Sequence, residues 1–239
     1  MLLLAALLLT AQPDRFGLPA CNAPHLELAA RPAFFLCHDS ARRVPSWSAY
    51  ELTPQQLHQP ALPRPSHFRT DTFLSLPAAT NTDYSHSGFH RGHLVPARDL
   101  AFSSESLRST FLLSNAAPQN PSLNAGRWRQ LEAAIRTLAS SSNATYVITG
   151  TLFDTPNPET IGPNHVAVPT HFFKAILTVQ GSRKAMFAVI LPNTANLRQP
   201  LSHFAVSVDD IERLTGLDLF AALPDDEELQ LESNPSPLQ

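Results

Sequence analysis

Five short β-like runs set the first limit on the fold: AFFLC (33–37), TFLLS (110–114), TYVITG (145–150), HFFKAILTV (171–179) and AMFAVIL (185–191). Three of them are nearly continuous apolar stretches, the pattern of central strands buried on both faces. Between them lies one clear helix, GRWRQLEAAIRTLAS (126–140), in which Trp128, Leu131, Ile135 and Leu138 fall on a single stripe at helical spacing. A second helix is expected near Asp209, with Asp209 and Glu212 as a capping box and Gly216 just past its end. Segment 54–80 holds Pro54, Pro60, Pro63, Pro65 and Pro77 and is expected to be mostly irregular. The 22 prolines occur along the whole chain of 239 residues, and only 8 residues are glycine, which predicts a loop-rich α+β fold with stiffened connections.

The two ends differ from the body. MLLLAALLLTAQP is an apolar run about as long as the core of a signal peptide and too short to span a bilayer. Arg15 is the first base, and so few arginines argue against a mitochondrial presequence. The expectation is an exported protein, periplasmic or secreted, with residues 1–12 as the signal, 13–223 as one domain and 224–239 as an acidic, disordered tail. No other segment is suited to crossing a membrane. From Asp209 onward there are nine acids and one base, Arg213, against 16 bases and 11 acids before it. A mildly basic body suits a polyanionic substrate, although a solvated surface gives the same balance. In an exported chain Cys21 and Cys37 read as a disulfide; two buried thiols are the alternative.

The densest polar cluster is HSGFHRGH (86–93), followed by Ser114-Asn115, by PQNPSLN (118–124) and by the helix. A histidine can take a proton from water near neutral pH, and an arginine can offset charge on a phosphate oxygen. An asparagine carbonyl is a hard oxygen ligand suited to Mg²⁺. Glu132 sits about 40° from Trp128 around the helix, so it borders the apolar stripe and needs a partner. That partner is either the waters of a metal or an arginine. Asn124 and Glu132 are about 12 Å apart in rise if both are helical. Asn124 is therefore read as the direct ligand and Glu132 as acting through the metal's waters.

These residues carry a resemblance. The stretch TNTDYSHSGFHRGHLVPA, the segment TFLLSNAAPQNPSLNAGRWRQLE (110–132), the block IGPNHVAVPTHFFKAIL (161–177) and DDIERLTGL (209–217) resemble, in that order, the DNA/RNA non-specific endonucleases with a ββα-metal finger, in particular the endonuclease G-like branch. The likeness runs from about FGLP (16–19) to about Phe220. It implies an α+β nuclease domain with a central, mostly antiparallel sheet flanked by helices and the finger at about 84–140. It also implies Mg²⁺-dependent cleavage of DNA and RNA to 5′-phosphate and 3′-hydroxyl ends, with Mn²⁺ able to substitute. By position, His93 matches the general base, Asn124 the protein ligand of the metal and Glu132 the acid that holds its waters. Arg91 and Asn115 match positions that shape the site, and Asn115 is expected in the outer shell of the metal. Arg69 and Arg91 are expected on substrate phosphates. The resemblance further implies a homodimer.

One position departs from the family. The first residue of its Asp-Arg-Gly-His motif is His90 here. His86, His90 and His93 could then form a three-histidine zinc site, although Gly88 and Gly92 break the helix that would align such ligands. His90 also leaves room for a weak or inactive nucleic-acid-binding paralogue, or for an exonuclease-like member of the family.

Overall fold

The computed structural model describes residues 13–233. Its strands are β1 (Leu26–Arg31), β2 (Phe34–Asp39), β3 (Val44–Leu52), β4 (His90–His93), β5 (Ala116–Gln119), β6 (Ala144–Leu152), β7 (Thr160–Ile161), β8 (Val166–Ala167), β9 (His171–Gln180), β10 (Arg183–Pro192) and β11 (Ala205–Val206). Its α-helices are α1 (Pro54–His58), α2 (Asn81–Tyr84), α3 (Ser104–Thr110), α4 (Pro121–Leu123), α5 (Arg129–Ser140), α6 (Val208–Thr215) and α7 (Asp225–Glu232).

Seven strands form one sheet in the order β1-β2-β3-β6-β9-β10-β11, antiparallel at every pairing. Side chains of a strand alternate between faces, so the apolar runs feed two cores. On β6 and β9, Val147, Phe172 and Ile176 join the core under α5, which contributes Leu131, Ile135 and Ala139. Tyr146, Ile148, Phe173, Ala175 and Leu177 join the opposite core, together with Val208 and Ile211 of α6. Each large apolar side chain fully buried this way contributes roughly 1.5–3 kcal/mol. The expected architecture, a mostly antiparallel sheet flanked by helices, is the one observed. Cys21 and Cys37 are joined in a disulfide, which ties the segment before β1 to β2 in the second core. Closing a loop of this size contributes on the order of 3 kcal/mol.

Several local expectations change. TFLLS is not a strand: Thr110 ends α3, Leu113 opens a 3₁₀ turn, and Leu112 makes only an isolated bridge with Arg69. Its apolar character reflects burial of Phe111, Leu112 and Leu113 in connecting chain. The cap of α6 is Ser207, whose hydroxyl accepts from the Asp210 N–H while Asp210 accepts from the Ser207 N–H; Asp209 and Glu212 do not form the box. Gly216 does end that helix, with φ 70° in the left-handed region that glycine tolerates. The tail is not disordered over 225–232, where α7 packs on β10 through Leu231 and through Lys184, whose ammonium donates to both carboxylate oxygens of Glu227 at 2.7 Å. The proposed signal, residues 1–12, lies outside the described residues, as do residues 234–239. Among the described residues no helix is long and apolar enough to cross a membrane.

Candidate active site

A small ββα unit sits on the α5 face of the sheet. β4 pairs antiparallel with β5, matching His90 to Gln119 and His93 to Ala116. Gly92 is required there, because a Cβ would stand 2.5 Å from the Cβ of Gln119 on the paired strand. After β5, Asn120 caps α4 by accepting from the Ser122 N–H at 2.9 Å. A π-helical turn, Asn124–Trp128, then leads into α5 through a break at Gly126. Asn124 is thereby set just ahead of the helix and Glu132 on its first turn.

The chain after His93 is gripped from three sides. Trp128 Nε1 donates to the His93 carbonyl at 3.3 Å, and Lys174 Nζ donates to the Leu94 carbonyl at 3.1 Å. Asn115 accepts from the Val95 N–H at 3.0 Å and donates to the Val95 and Thr110 carbonyls at 3.0 and 3.1 Å. The imidazole of His93 packs in a three-ring cluster with Phe68 and Phe111, with ring centroids at 4.7 and 5.0 Å from it. Its Nε2 is buried and has no hydrogen-bond partner. Burial, reinforced by the positive charge of Arg64, lowers the His93 pKa to about 3. The ring is thus an unprotonated base with a vacant lone pair.

His93, His90, Asn124 and Glu132 line one cleft of about 430 Å³. Asn124 Nδ2 lies 3.1 Å from His90 Nδ1, so the amide nitrogen donates to a neutral imidazole and the amide oxygen is left for another partner. Burial raises the Glu132 pKa, and the nearby Lys174 ammonium opposes that rise. Lys174 is fully buried, 4.7 Å from the Trp128 ring centroid, and its own pKa is lowered by burial. Arg136 pairs with Asp99 at 2.7 Å, and Tyr50 donates to the same carboxylate at 3.0 Å. The salt bridge imagined for Glu132 therefore belongs to Asp99.

Three other expectations need correction. Arg91 turns away from the cleft: its guanidinium lies 5.0 Å from the Tyr84 ring centroid and donates to the Asn81 carbonyl at 3.1 Å. It braces α2 and does not stand where a phosphate would meet His93. Asn115 is fully buried and spends its amide on the backbone, so it shapes the His93 loop without reaching the cleft. Arg69 is exposed on two neighbouring grooves; Phe111 separates one of them from His93. His86 does not line the cleft, and among the described residues the three histidines do not converge as a ligand set. Sequence reading missed Arg64 and Arg129, exposed bases on the cleft, and the buried Lys174. Lys174 had a signal, being the lone charge inside HFFKAILTV; Arg64 had none.

Residues 16–226 match the family described as DNA/RNA non-specific endonuclease. The chain belongs to this family. It is 38% identical over 216 residues to a human protein named "Endonuclease G, mitochondrial", covering 85% of this chain and 71% of the relative. It is 37% identical to nuclease C1 of Cunninghamella echinulata var. echinulata, over 87% of each chain. Nuclease EXOG, mitochondrial, of Danio rerio is 36% identical over 87% of this chain and 64% of its own length. Among solved structures, an EndoG/EndoGI complex described as showing the mechanism of EndoG inhibition superposes with a TM-score of 0.81 at 31% identity, covering 89% of this chain and 91% of the other. The relatives named endonuclease G and EXOG are mitochondrial by name, which overturns the expectation of export.

Proposed function

We propose that this nuclease hydrolyses phosphodiester bonds of DNA and RNA in a Mg²⁺-dependent reaction, with His93 as general base. One observation carries the reading: His93, whose buried Nε2 has no hydrogen-bond partner, lines the same cleft as Asn124 and Glu132. Asn124 gives its nitrogen to His90 and keeps its oxygen, while Glu132 is a carboxylate whose charged form burial disfavours and a cation would favour. One neutral oxygen and one carboxylate are a hard donor set, suited to Mg²⁺ or Mn²⁺. When bound, such an ion would offset charge on the reacting phosphate and on the leaving oxygen. His93 Nε2 accepts a proton from water as the water oxygen attacks phosphorus. The 3′-oxygen leaves in line and takes a proton from solvent water, while the imidazolium returns its proton to solvent, giving 5′-phosphate and 3′-hydroxyl ends. A phosphate near the ring would favour the imidazolium formed, raising the basicity that burial depresses. Arg64 and Arg129, in place of Arg91 and Arg69, are the bases positioned to meet non-bridging oxygens in the cleft. His90 does not favour an inactive paralogue, because it accepts from Asn124 as a carboxylate in its place could.

The test is degradation of plasmid DNA and of RNA with Mg²⁺ and with chelator. Both substrates should be cut only with the metal, and His93→Ala should lose at least ~10²-fold in rate while staying folded. A His93→Ala protein that cuts at the wild-type rate refutes the base. A homodimer is the accompanying expectation, checked by sedimentation of the full chain.

A further inference from the structure

The acidic end of the chain takes no part in the nuclease cleft. Two helices from it, α6 and α7, flank β10 and bring carboxylates together on the sheet face opposite the finger. One carboxylate oxygen each from Asp209, Glu212 and Glu232 lies within 4.8 Å of the others. Glu232 is only 3% exposed, and its Oε1 has no hydrogen-bond partner. It ends α7, where the last helical carbonyls add negative charge. The bases at hand are engaged elsewhere: Lys184 with Glu227, and Arg213 with Asp210. Glu212 accepts from the Leu219 N–H at 2.6 Å, which satisfies only part of one carboxylate. Among the described residues no base pairs with Glu232, a buried carboxylate with an unpaired oxygen and two other carboxylates close by.

We propose that Asp209, Glu212 and Glu232 form a binding site for a Ca²⁺-sized divalent cation, which fastens α7 to α6. Oxygens on opposite sides of such an ion, at ~2.4 Å each, stand ~4.8 Å apart, so the three donors can share one ion. Backbone carbonyls and water would complete its shell. The rival occupant is a proton: Glu212, Glu228, Asp209 and Asp218 surround Glu232, and burial with their charges pushes its pKa up to about 8. A proton neutralises one of these carboxylates and leaves the others repelling; a divalent ion draws in three.

The experiment uses the full chain carrying Asn124→Ala, which removes the proposed direct ligand at the nuclease cleft. Calorimetric titration with CaCl₂ should show one saturable site, weakened at least ~10-fold by Glu232→Gln or Glu212→Gln. Ca²⁺ should raise the Tm of the Asn124→Ala protein and leave that of the Glu232→Gln form unmoved. On the otherwise wild-type chain, Glu232→Gln should cut DNA with Mg²⁺ at the unaltered rate. The proposal is overturned by Ca²⁺ binding that survives Glu232→Gln. It is equally overturned if no Ca²⁺ binds while Glu232→Gln alone raises Tm in chelator, which would assign the site to a proton.

Discussion

The depressed basicity of His93 makes a prediction about stability that needs no substrate. The ring is buried, Nε2 is unpaired, and the folded-state pKa is about 3 against 6.5 for a free imidazole. Between those two values the unfolded chain takes up a proton that the folded chain refuses. Titration of the ring therefore takes nothing from stability well above about pH 6.5, and stability falls as the solution becomes more acid. The loss is about 2 kcal/mol between about pH 7 and pH 5, approaching about 5 kcal/mol once the pH reaches 3, where folded protein begins to protonate too. His93→Gln replaces the ring with a group that does not titrate. Other groups contribute to the pH dependence of both proteins, so the difference between the two isolates the ring. Urea denaturation in chelator, with the disulfide intact, should show the wild type losing about 2 kcal/mol more than His93→Gln between about pH 7 and pH 5. Parallel stability curves would show that the imidazole titrates normally in the fold, and would refute the desolvation argument.

His90→Ala should leave Asn124 free to turn its amide, raising the Mg²⁺ concentration needed for half-maximal cleavage by roughly 2–10-fold. His90→Asp keeps an acceptor and should stay near the wild type; equal Mg²⁺ titrations for His90→Ala and the wild type would remove the orienting role. Lys174→Met leaves Glu132 and Asp99 without a buried ammonium and should cost about 3–5 kcal/mol by urea denaturation, whereas unaltered stability would mean the charges are already screened. Cleavage should weaken linearly with salt on logarithmic axes, and Arg64→Ala with Arg129→Ala should lower that slope by about 2; an unaltered slope would place the phosphates elsewhere.

The nuclease cleft was legible where chain order and spatial order coincide. His90, His93, Asn124 and Glu132 lie on one strand–strand–helix unit, so reading along the sequence assembles them. Arg91 failed although it shares a strand face with His93: a long side chain ends where its partners are, and its guanidinium found the Tyr84 ring and the Asn81 carbonyl. Asn115 shapes the site as the resemblance implies, but through the backbone of Val95 and Thr110 and not from the outer shell of a metal, a difference that sequence does not record. In TFLLS, apolar character recorded burial without recording conformation. The helix α7 was hidden because its charges surround it: its order comes from Lys184 and from Leu231 against the sheet, which are tertiary contacts, not from an apolar stripe.

The elements that ready the base lie far from it in the chain. Lys174 reaches Leu94 across 80 residues because β9 alternates, setting Phe172, Lys174 and Ile176 on the finger face and Phe173 and Ala175 on the other. A lysine there puts its ammonium beneath the His93–Val95 chain and beside Glu132; one residue earlier or later it would enter the opposite core with no carboxylate of the cleft to meet. The register of the central sheet therefore fixes the electrostatics of a cleft built on a separate, smaller pair of strands. Substitutions that slip β9 by one residue would disable the nuclease without touching any residue of the HRGH motif.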